Sequence, residues 1–322
     1  MSKFWSDYPI IEKEIDAVSS IIAKNAKCKD KVIESSILDL LNSGGKMLRP
    51  AFTIIASKFG NYNEERSRAL ASVMEMFHMA TLVHDDIIDE AEFRRGKETV
   101  QSKYGKNYAV YIGDFLFCLC FRVLATTSSI ERGIDVDTQV MSRICLGEIE
   151  QLNSRFDKNV SVKDYLKRTS GKTAELFSLS LYIGAAESSC DKKICRLFWN
   201  IGHNIGMAFQ IIDDILDYTA TDEELGKKSG NDLKEGIYTL PLILAMKKNP
   251  SVFENILNKD NYSNEEIDMI INIVKNNNGI DDAMKIANKY SQKAFRDINK
   301  LPDNEYRDIL LGVVTKLLER SY

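Results

Sequence analysis

Two short acidic runs stand out because their spacing sets carboxylates side by side. The first, Leu82-Val83-His84-Asp85-Asp86-Ile87-Ile88-Asp89-Glu90, closes an apolar helical stretch. Asp85 and Asp89 are four apart and stack on one helical face, with Asp86 about 100° round from Asp85. The same spelling, Asp-Asp-x-x-Asp, returns as Asp213-Asp214-Ile215-Leu216-Asp217, again behind apolar residues. Like charges one turn apart destabilise a helix, and acids near its C-terminus oppose its dipole, so each run carries a penalty of roughly 0.5 to 1 kcal/mol. A solvated helix end would explain one such run. Two of them, each at the mouth of an apolar stretch, call for bound cations. Carboxylates without His or Cys partners favour hard ions, and Mg2+ takes one or two carboxylates plus phosphate oxygens and water. The expectation is two facing claws that hold Mg2+ against a diphosphate.

A diphosphate site also needs fixed cations and backbone donors. Gly44-Gly45-Lys46-Met47-Leu48-Arg49-Pro50 sets Lys46 and Arg49 three apart beside a glycine break. Arg94-Arg95-Gly96-Lys97 follows the first acidic run, and Gly226-Lys227-Lys228 follows the second. Each alone reads as a solvated basic turn; two of the three directly follow an acid cluster, which weakens that reading. Other chemistries fit poorly. Gly171-Lys172-Thr173 resembles the end of a P-loop, but Leu166 occupies the position where the earlier glycine is required. His84-Asp85 could open an HD-type phosphohydrolase site, yet only His78 and His203 remain as further histidines.

The elements that must position these groups are helices. Of 322 residues only five are proline and 17 glycine, too little punctuation for a many-stranded sandwich or barrel, and 44% are hydrophobic, enough for a substantial core. Apolar residues recur at three-and-four spacing without strand-like alternation, which predicts an all-α fold. Helices are expected near 4–26, 29–42, 47–59, 64–91, 106–127, 132–156, 162–186, 191–219 and 239–247, with several from 263 onward. No flexible linker or fixed repeat interrupts them, so a single domain over 1–322 is expected, with functional loops at one end. Lys plus Arg number 43 against 47 Asp plus Glu, a net charge of −4 that offers no basic footprint for nucleic acid. The six cysteines contain no Cys-x-x-Cys pair and read as free thiols of a cytoplasmic protein. The start lacks a basic-then-apolar signal pattern, and the most apolar stretch, 108–125, carries Asp114 and Arg122, so neither export nor a membrane span is expected.

Taken together, these residues resemble the trans-isoprenyl (polyprenyl) diphosphate synthases. The likeness runs in order along most of the chain: Gly44 to Pro50, His78, His84 to Asp89, Arg94-Arg95-Gly96, Gly147-Glu148-Ile149-Glu150-Gln151, Lys172-Thr173-Ala174, Phe209-Gln210, Asp213 to Asp217, Leu225-Gly226-Lys227 and Thr239-Leu240-Pro241. The resemblance implies an antiparallel helical bundle of the isoprenoid synthase type with a central active-site cavity, working as a Mg2+-dependent prenyltransferase with about three ions when substrate is bound. It implies that Asp85, Asp89, Asp213 and Asp217 hold the metal, with Asp86 and Asp214 completing the catalytic acid sets. Arg94, Lys172 and Lys227 would contact the allylic diphosphate, and Lys46, Arg49, His78 and Arg95 the isopentenyl diphosphate. Thr173 and Gln210 would turn oxygen dipoles toward the allylic carbon. Glu148 and Gln151 read as structural hydrogen-bonders. The sequence departs from the family in Glu235-Gly236-Ile237-Tyr238-Thr239, where many members carry Lys in place of Ile237.

The segment 145–151 looks most like the catalytic subunit, component II, of heptaprenyl diphosphate synthase, which works with a small partner chain. The resemblance implies a homodimer or such a heteromer, with a product that can pass to a membrane. Residues upstream of Asp85 would line the tunnel for the growing chain, at about 5.4 Å per helical turn and close to one isoprene unit. Ala80 is small and Thr81 is not aromatic, so no plug stands where short-chain enzymes stop. Phe77, one turn deeper, is either a floor favouring about C20 to C25 or ordinary core. The reading adopted is farnesyl or geranylgeranyl primer extended to about C30 to C35, with a geranylgeranyl or other short-chain synthase as the alternative. A terpene cyclase would replace the second acidic motif with an Asn/Ser/Glu pattern. A noncatalytic partner subunit would lose one or both claws, and a purely structural helical protein would leave the clustered acids unexplained.

Overall fold

The computed structural model describes residues 3–127, 134–219, 230–257, 259 and 261–319. After a 3-10 turn at Lys3–Trp5 come α1 (Pro9–Ala26), α2 (Lys31–Leu41), α3 (Leu48–Ser57) and α4 (Glu64–Ile88). A hairpin of β1 (Phe93–Arg94) and β2 (Lys97–Glu98) leads to α5 (Val100–Tyr104), α6 (Lys106–Thr127), α7 (Ile134–Asn153) and α8 (Val162–Thr169). A π-helical turn at Ser170–Ala174 joins α8 to α9 (Glu175–Glu187), and α10 (Lys192–Thr219) follows. The remainder is α11 (Asn231–Lys234), α12 (Leu240–Lys248), α13 (Pro250–Glu254), α14 (Asn264–Asn276), α15 (Gly279–Ile298) and α16 (Glu305–Leu318). The fold is all-α, as the apolar spacing predicts. Its expected helix ends shorten by a few residues, as they do at 64–91, which closes at Ile88.

Two differences bear on function. The sequence shows no strand, yet Phe93 pairs with Glu98 and Arg94 with Lys97 across a two-residue turn. That turn needs positive φ at both central positions, and Arg95 (φ 52°) and Gly96 (φ 75°) supply it. The stretch 162–186, read as one helix, is broken by the π-helical turn. The interruption sits where other backbones come close. A Cβ on Gly147 would lie 2.9 Å from the Lys172 nitrogen, and one on Gly206 would lie 2.5 Å from the Ala174 Cα.

Local chemistry sets the helix starts. The Asn63 side chain accepts from the Arg66 N–H at 2.9 Å and Glu64 and Glu65 fill the first turn, so α4 begins with a cap and a favourable dipole. Ser161 and Asp164 form a reciprocal capping box on α8. The acids that close α4 end it: Asp89 is its C-cap and Glu90 turns to φ 51°.

Close contacts group the chain into two compact units, with boundaries inside α7, α9, α10 and α16 and one between α15 and α16. The first unit is Met1–Thr138, Leu179–Trp199 and Leu301–Leu310. Its core centres on α4 packed against α6, with α1 and α3 alongside. α6 buries Ala109, Ile112, Leu116, Leu119, Cys120 and Val123, each large apolar side chain contributing about 1.5 to 3 kcal/mol. By length and composition this helix is apolar enough to cross a membrane, and 44% of its apolar window is buried inside the fold. The second unit is Gln139–Ser178, Asn200–Lys300 and Leu311–Tyr322, where α12 packs on α15.

Candidate active site

In the first unit three segments supply the predicted residues. α4 carries His78, Asp85 and Asp86, with Asp89 at its cap; the loop before α3 carries Lys46 and the first turn of α3 carries Arg49; the hairpin carries Arg94 and Arg95. Met47 takes φ 51° to start α3, and Lys46 is tied down by a 2.6 Å hydrogen bond from Trp5 Nε1 to its carbonyl. A side chain on Gly45 would put its Cβ 2.8 Å from Arg95 Nη1, so the missing Cβ lets the Arg95 guanidinium lie over this loop. The two basic segments therefore meet.

Glu75, buried on α4 one turn before His78, belongs to none of the sequence motifs. Burial pushes its carboxyl up, and nearby Arg49 and Arg95 pull the other way. Burial likewise lowers Arg49 to about 10, opposed by Glu75. Glu75 thus acts as the counter-charge of the basic pocket. Its signal in the sequence is a lone acid inside the apolar run Val73-Met74-Glu75-Met76-Phe77, three residues from His78. Burial, then the charges of Arg49, Arg95 and Arg94, hold His78 well below the ordinary histidine range, so it is a neutral hydrogen-bonding group.

The three acids of the first motif divide into two kinds. Asp86 is 1% exposed and accepts a 2.7 Å bond from Arg94 Nε. Burial raises its carboxyl despite that partner. Asp86 thereby orients Arg94, while Asp85 and Asp89 share one helical turn and are less buried. Beside them, His84 rests where only a glycine leaves room, since a Cβ on Gly113 would lie 2.5 Å from its Nε2. Phe77 is buried and its ring packs 5.3 Å from Phe117 of α6; Ala80 is fully buried, and the Thr81 hydroxyl donates to the His78 carbonyl at 2.8 Å.

The second unit brings Lys172 and Thr173, on the π-helical turn, together with α7 and α10. Lys172 Nζ sits 2.7 Å from Glu148 Oε2, which assigns to Glu148 the holding role read from the sequence. Thr173 donates to Gln210 Oε1 at 2.8 Å, and Gln210 Nε2 donates to Asp214 at 2.8 Å. Asp214 is buried and also accepts from the Tyr165 hydroxyl at 2.5 Å. Burial pushes its carboxyl up to about 7, against the hydrogen bonds from Tyr165 and Gln210. Asp213 is exposed, whereas Asp217 is 3% exposed and accepts from the Asp232 N–H at 3.3 Å. Ile237 is buried, following Gly236 at φ 74°, so the position at which the resemblance leads one to expect Lys is here part of the apolar packing. Lys227, with Leu225, Gly226 and Lys228, lies outside the described residues.

The family model for polyprenyl synthetases matches residues 30–274. The chain belongs to the polyprenyl synthetase family. It is 35% identical over 321 residues to heptaprenyl diphosphate synthase component 2 of Bacillus subtilis, covering 99% of this chain and 92% of that one. Among solved structures, the heptaprenyl diphosphate synthase of Staphylococcus aureus matches with TM-score 0.92 at 38% identity, covering 96% of this chain and 98% of that one. The geranylgeranyl pyrophosphate synthase of Lactobacillus brevis matches with TM-score 0.93 at 34% identity, covering 99% of each chain. The all-α isoprenoid synthase fold and the prenyltransferase class follow from that membership. The metal expectation can be tested against the donors present. Among the described residues no three or more His, Cys, Asp or Glu side chains already form a metal-holding group. Asp85 and Asp89, one turn apart and only part-buried, are an all-oxygen donor pair that would suit Mg2+, whose shell takes one or two carboxylates with phosphate oxygens and water.

Proposed function

We propose that this protein is a Mg2+-dependent trans-polyprenyl diphosphate synthase that condenses isopentenyl diphosphate with farnesyl or geranylgeranyl diphosphate to a product of about C30 to C35. The observation that carries the reading is the pairing of a cation with a positioning acid in each unit: Arg94 on Asp86, and Lys172 on Glu148. Side chains that would contact diphosphate are pre-oriented, which lowers the entropy lost on binding.

Asp85 and Asp89, with Asp213 and Asp217, would hold the metal. When bound, Mg2+ neutralises charge on the departing diphosphate. Lys46, Arg49, Arg95 and neutral His78 bind the isopentenyl diphosphate, while Arg94, Lys172 and Lys227 bind the allylic diphosphate. Thr173 and Gln210 direct oxygen toward the allylic carbon as positive charge develops there, and the isopentenyl double bond attacks it. That attack forms the carbon–carbon bond and moves the positive charge to the isopentenyl fragment, where loss of a proton to the released diphosphate restores a double bond, with no protein nucleophile.

A short-chain reading is favoured by one observation, the Phe77–Phe117 ring pair, which could close the tunnel at about C20 to C25. Sizing the product from farnesyl diphosphate, Mg2+ and labelled isopentenyl diphosphate decides between them. We expect C30 to C35; a product stopping at C20, lengthened by Phe77→Ala, would establish the alternative. The cytoplasm is the proposed location, as a homodimer or a heteromer with a small partner subunit. The name component 2 carried by the Bacillus subtilis relative supports the second arrangement. The assay is therefore run with and without a candidate small subunit.

A further inference from the structure

Within the second unit four side chains form a directional hydrogen-bond chain. The Tyr165 O–H donates to Asp214 Oδ2 at 2.5 Å, Gln210 Nε2 donates to Asp214 Oδ1 at 2.8 Å, and Thr173 Oγ1 donates to Gln210 Oε1 at 2.8 Å. The order is forced by what each group can do. Both Asp214 oxygens act as acceptors, Oδ2 for the Tyr165 O–H and Oδ1 for an amide N–H, so Asp214 selects the nitrogen end of the Gln210 amide. The oxygen end is thereby turned to Thr173, and the threonine hydroxyl must place its single proton there. Only lone pairs remain on Thr173. Asp214 is buried and both its oxygens accept these bonds, whereas Asp213, next along α10, is exposed. The two adjacent acids therefore have separate work.

We propose that Tyr165 and Asp214 are positioning residues that fix the hydrogen-bond polarity of Gln210 and Thr173, so that these two present oxygen lone pairs rather than N–H or O–H groups to the developing allylic cation. The proposal rests on the prenyl-transfer reading above. With Asp214 replaced by Asn, the Gln210 amide can reverse; its N–H would then face Thr173 and release the threonine proton toward the cation. A reversed dipole next to a positive centre opposes what a preorganised site supplies, where a single well-placed group changes rates by about 10²-fold to 10³-fold.

The test compares binding of two probes to the full chain with Mg2+: an ammonium analogue of farnesyl diphosphate, which mimics the cation, and farnesyl thiodiphosphate, which mimics the ground state. The readout is the ratio of their affinities. Asp214→Asn is expected to cut the wild-type preference for the ammonium analogue by about tenfold or more while thiodiphosphate affinity stays within about threefold. The swap Gln210→Glu with Asp214→Asn restores an unbroken donor order, because the introduced amide can donate to the introduced carboxylate and still accept from Tyr165. It is expected to bring the ratio back to within about threefold of wild type. Tyr165→Phe supplies a second variant if Asp214→Asn does not fold, with a smaller loss in the same direction. Equal weakening of both probes, or a double variant no better than the single, would overturn the polarity proposal. Wild type that binds neither probe would instead overturn the prenyl-transfer reading on which it depends.

Discussion

Asp85 and Asp89 stand where their charges are least welcome, one turn apart at the end of α4. Removing one of them should relieve repulsion while removing a proposed metal ligand. Asp85→Ala is therefore expected to lower the condensation rate by about 10²-fold or more, yet to leave stability unchanged or raised by about 0.3 to 1 kcal/mol. Steady-state assays and urea titration on the same preparation check both signs; unchanged activity would contradict the metal assignment. His203 gives a pH test away from the acidic motifs. Burial first, then Lys293, lowers its pKa, so the folded protein keeps it neutral. Below about pH 6.5 the unfolded chain takes up a proton that the folded chain refuses, and stability is lost as pH falls through that window. His203→Gln removes the loss. Relative to this variant, wild type should weaken by up to about 1.4 kcal/mol per pH unit between pH 6.5 and the lower folded value.

The π-helical turn at Ser170–Ala174 holds Lys172 and Thr173 in a backbone that an ordinary helix would not provide. Glycines let neighbouring helices approach it closely: Gly147 from α7 and Gly206 from α10. A methyl group at Gly206 would collide with backbone rather than a yielding side chain, the Ala174 Cα lying 2.5 Å away. Gly206→Ala should therefore destabilise the protein by about 1 to 3 kcal/mol and lower turnover further by displacing Thr173. Denaturation midpoints with turnover rates measure this; a variant with wild-type stability and rate would show the turn to be tolerant. The hairpin is a comparable device, since its Arg95–Gly96 turn requires positive φ and sets Arg95 over Gly45.

Across the molecule, α6 buries one side against α4 and leaves Tyr108, Tyr111 (71% exposed) and Phe121 uncovered. An apolar face of this kind marks an association surface more often than a bare monomer. The homodimer proposed above predicts that Tyr111→Glu with Phe121→Glu shifts light-scattering mass from two chains toward one. A mass of one chain for the wild type, even with a small subunit supplied, would remove the proposal. Under the proposed function, product length is also decided between elements, because Phe77 of α4 and Phe117 of α6 pack ring against ring.

Much of this protein was legible before folding was considered. Helical periodicity, the paired Asp-Asp-x-x-Asp runs and the ordered basic motifs determined the fold class and the family and singled out the candidate site residues, because covalent spacing alone sets which side chains share a helical face. Burial and polarity were not legible. Asp85, Asp86 and Asp89 read alike in the chain, yet only packing sinks Asp86 under Arg94, and the same holds for Asp214 beside Asp213. Glu75, Tyr165 and the π-helical turn likewise emerged only in three dimensions. Which acid meets solvent, which cation already has a partner and which way an amide points depend on neighbours distant in sequence, and the desolvation that separates them exists only once the helices have packed.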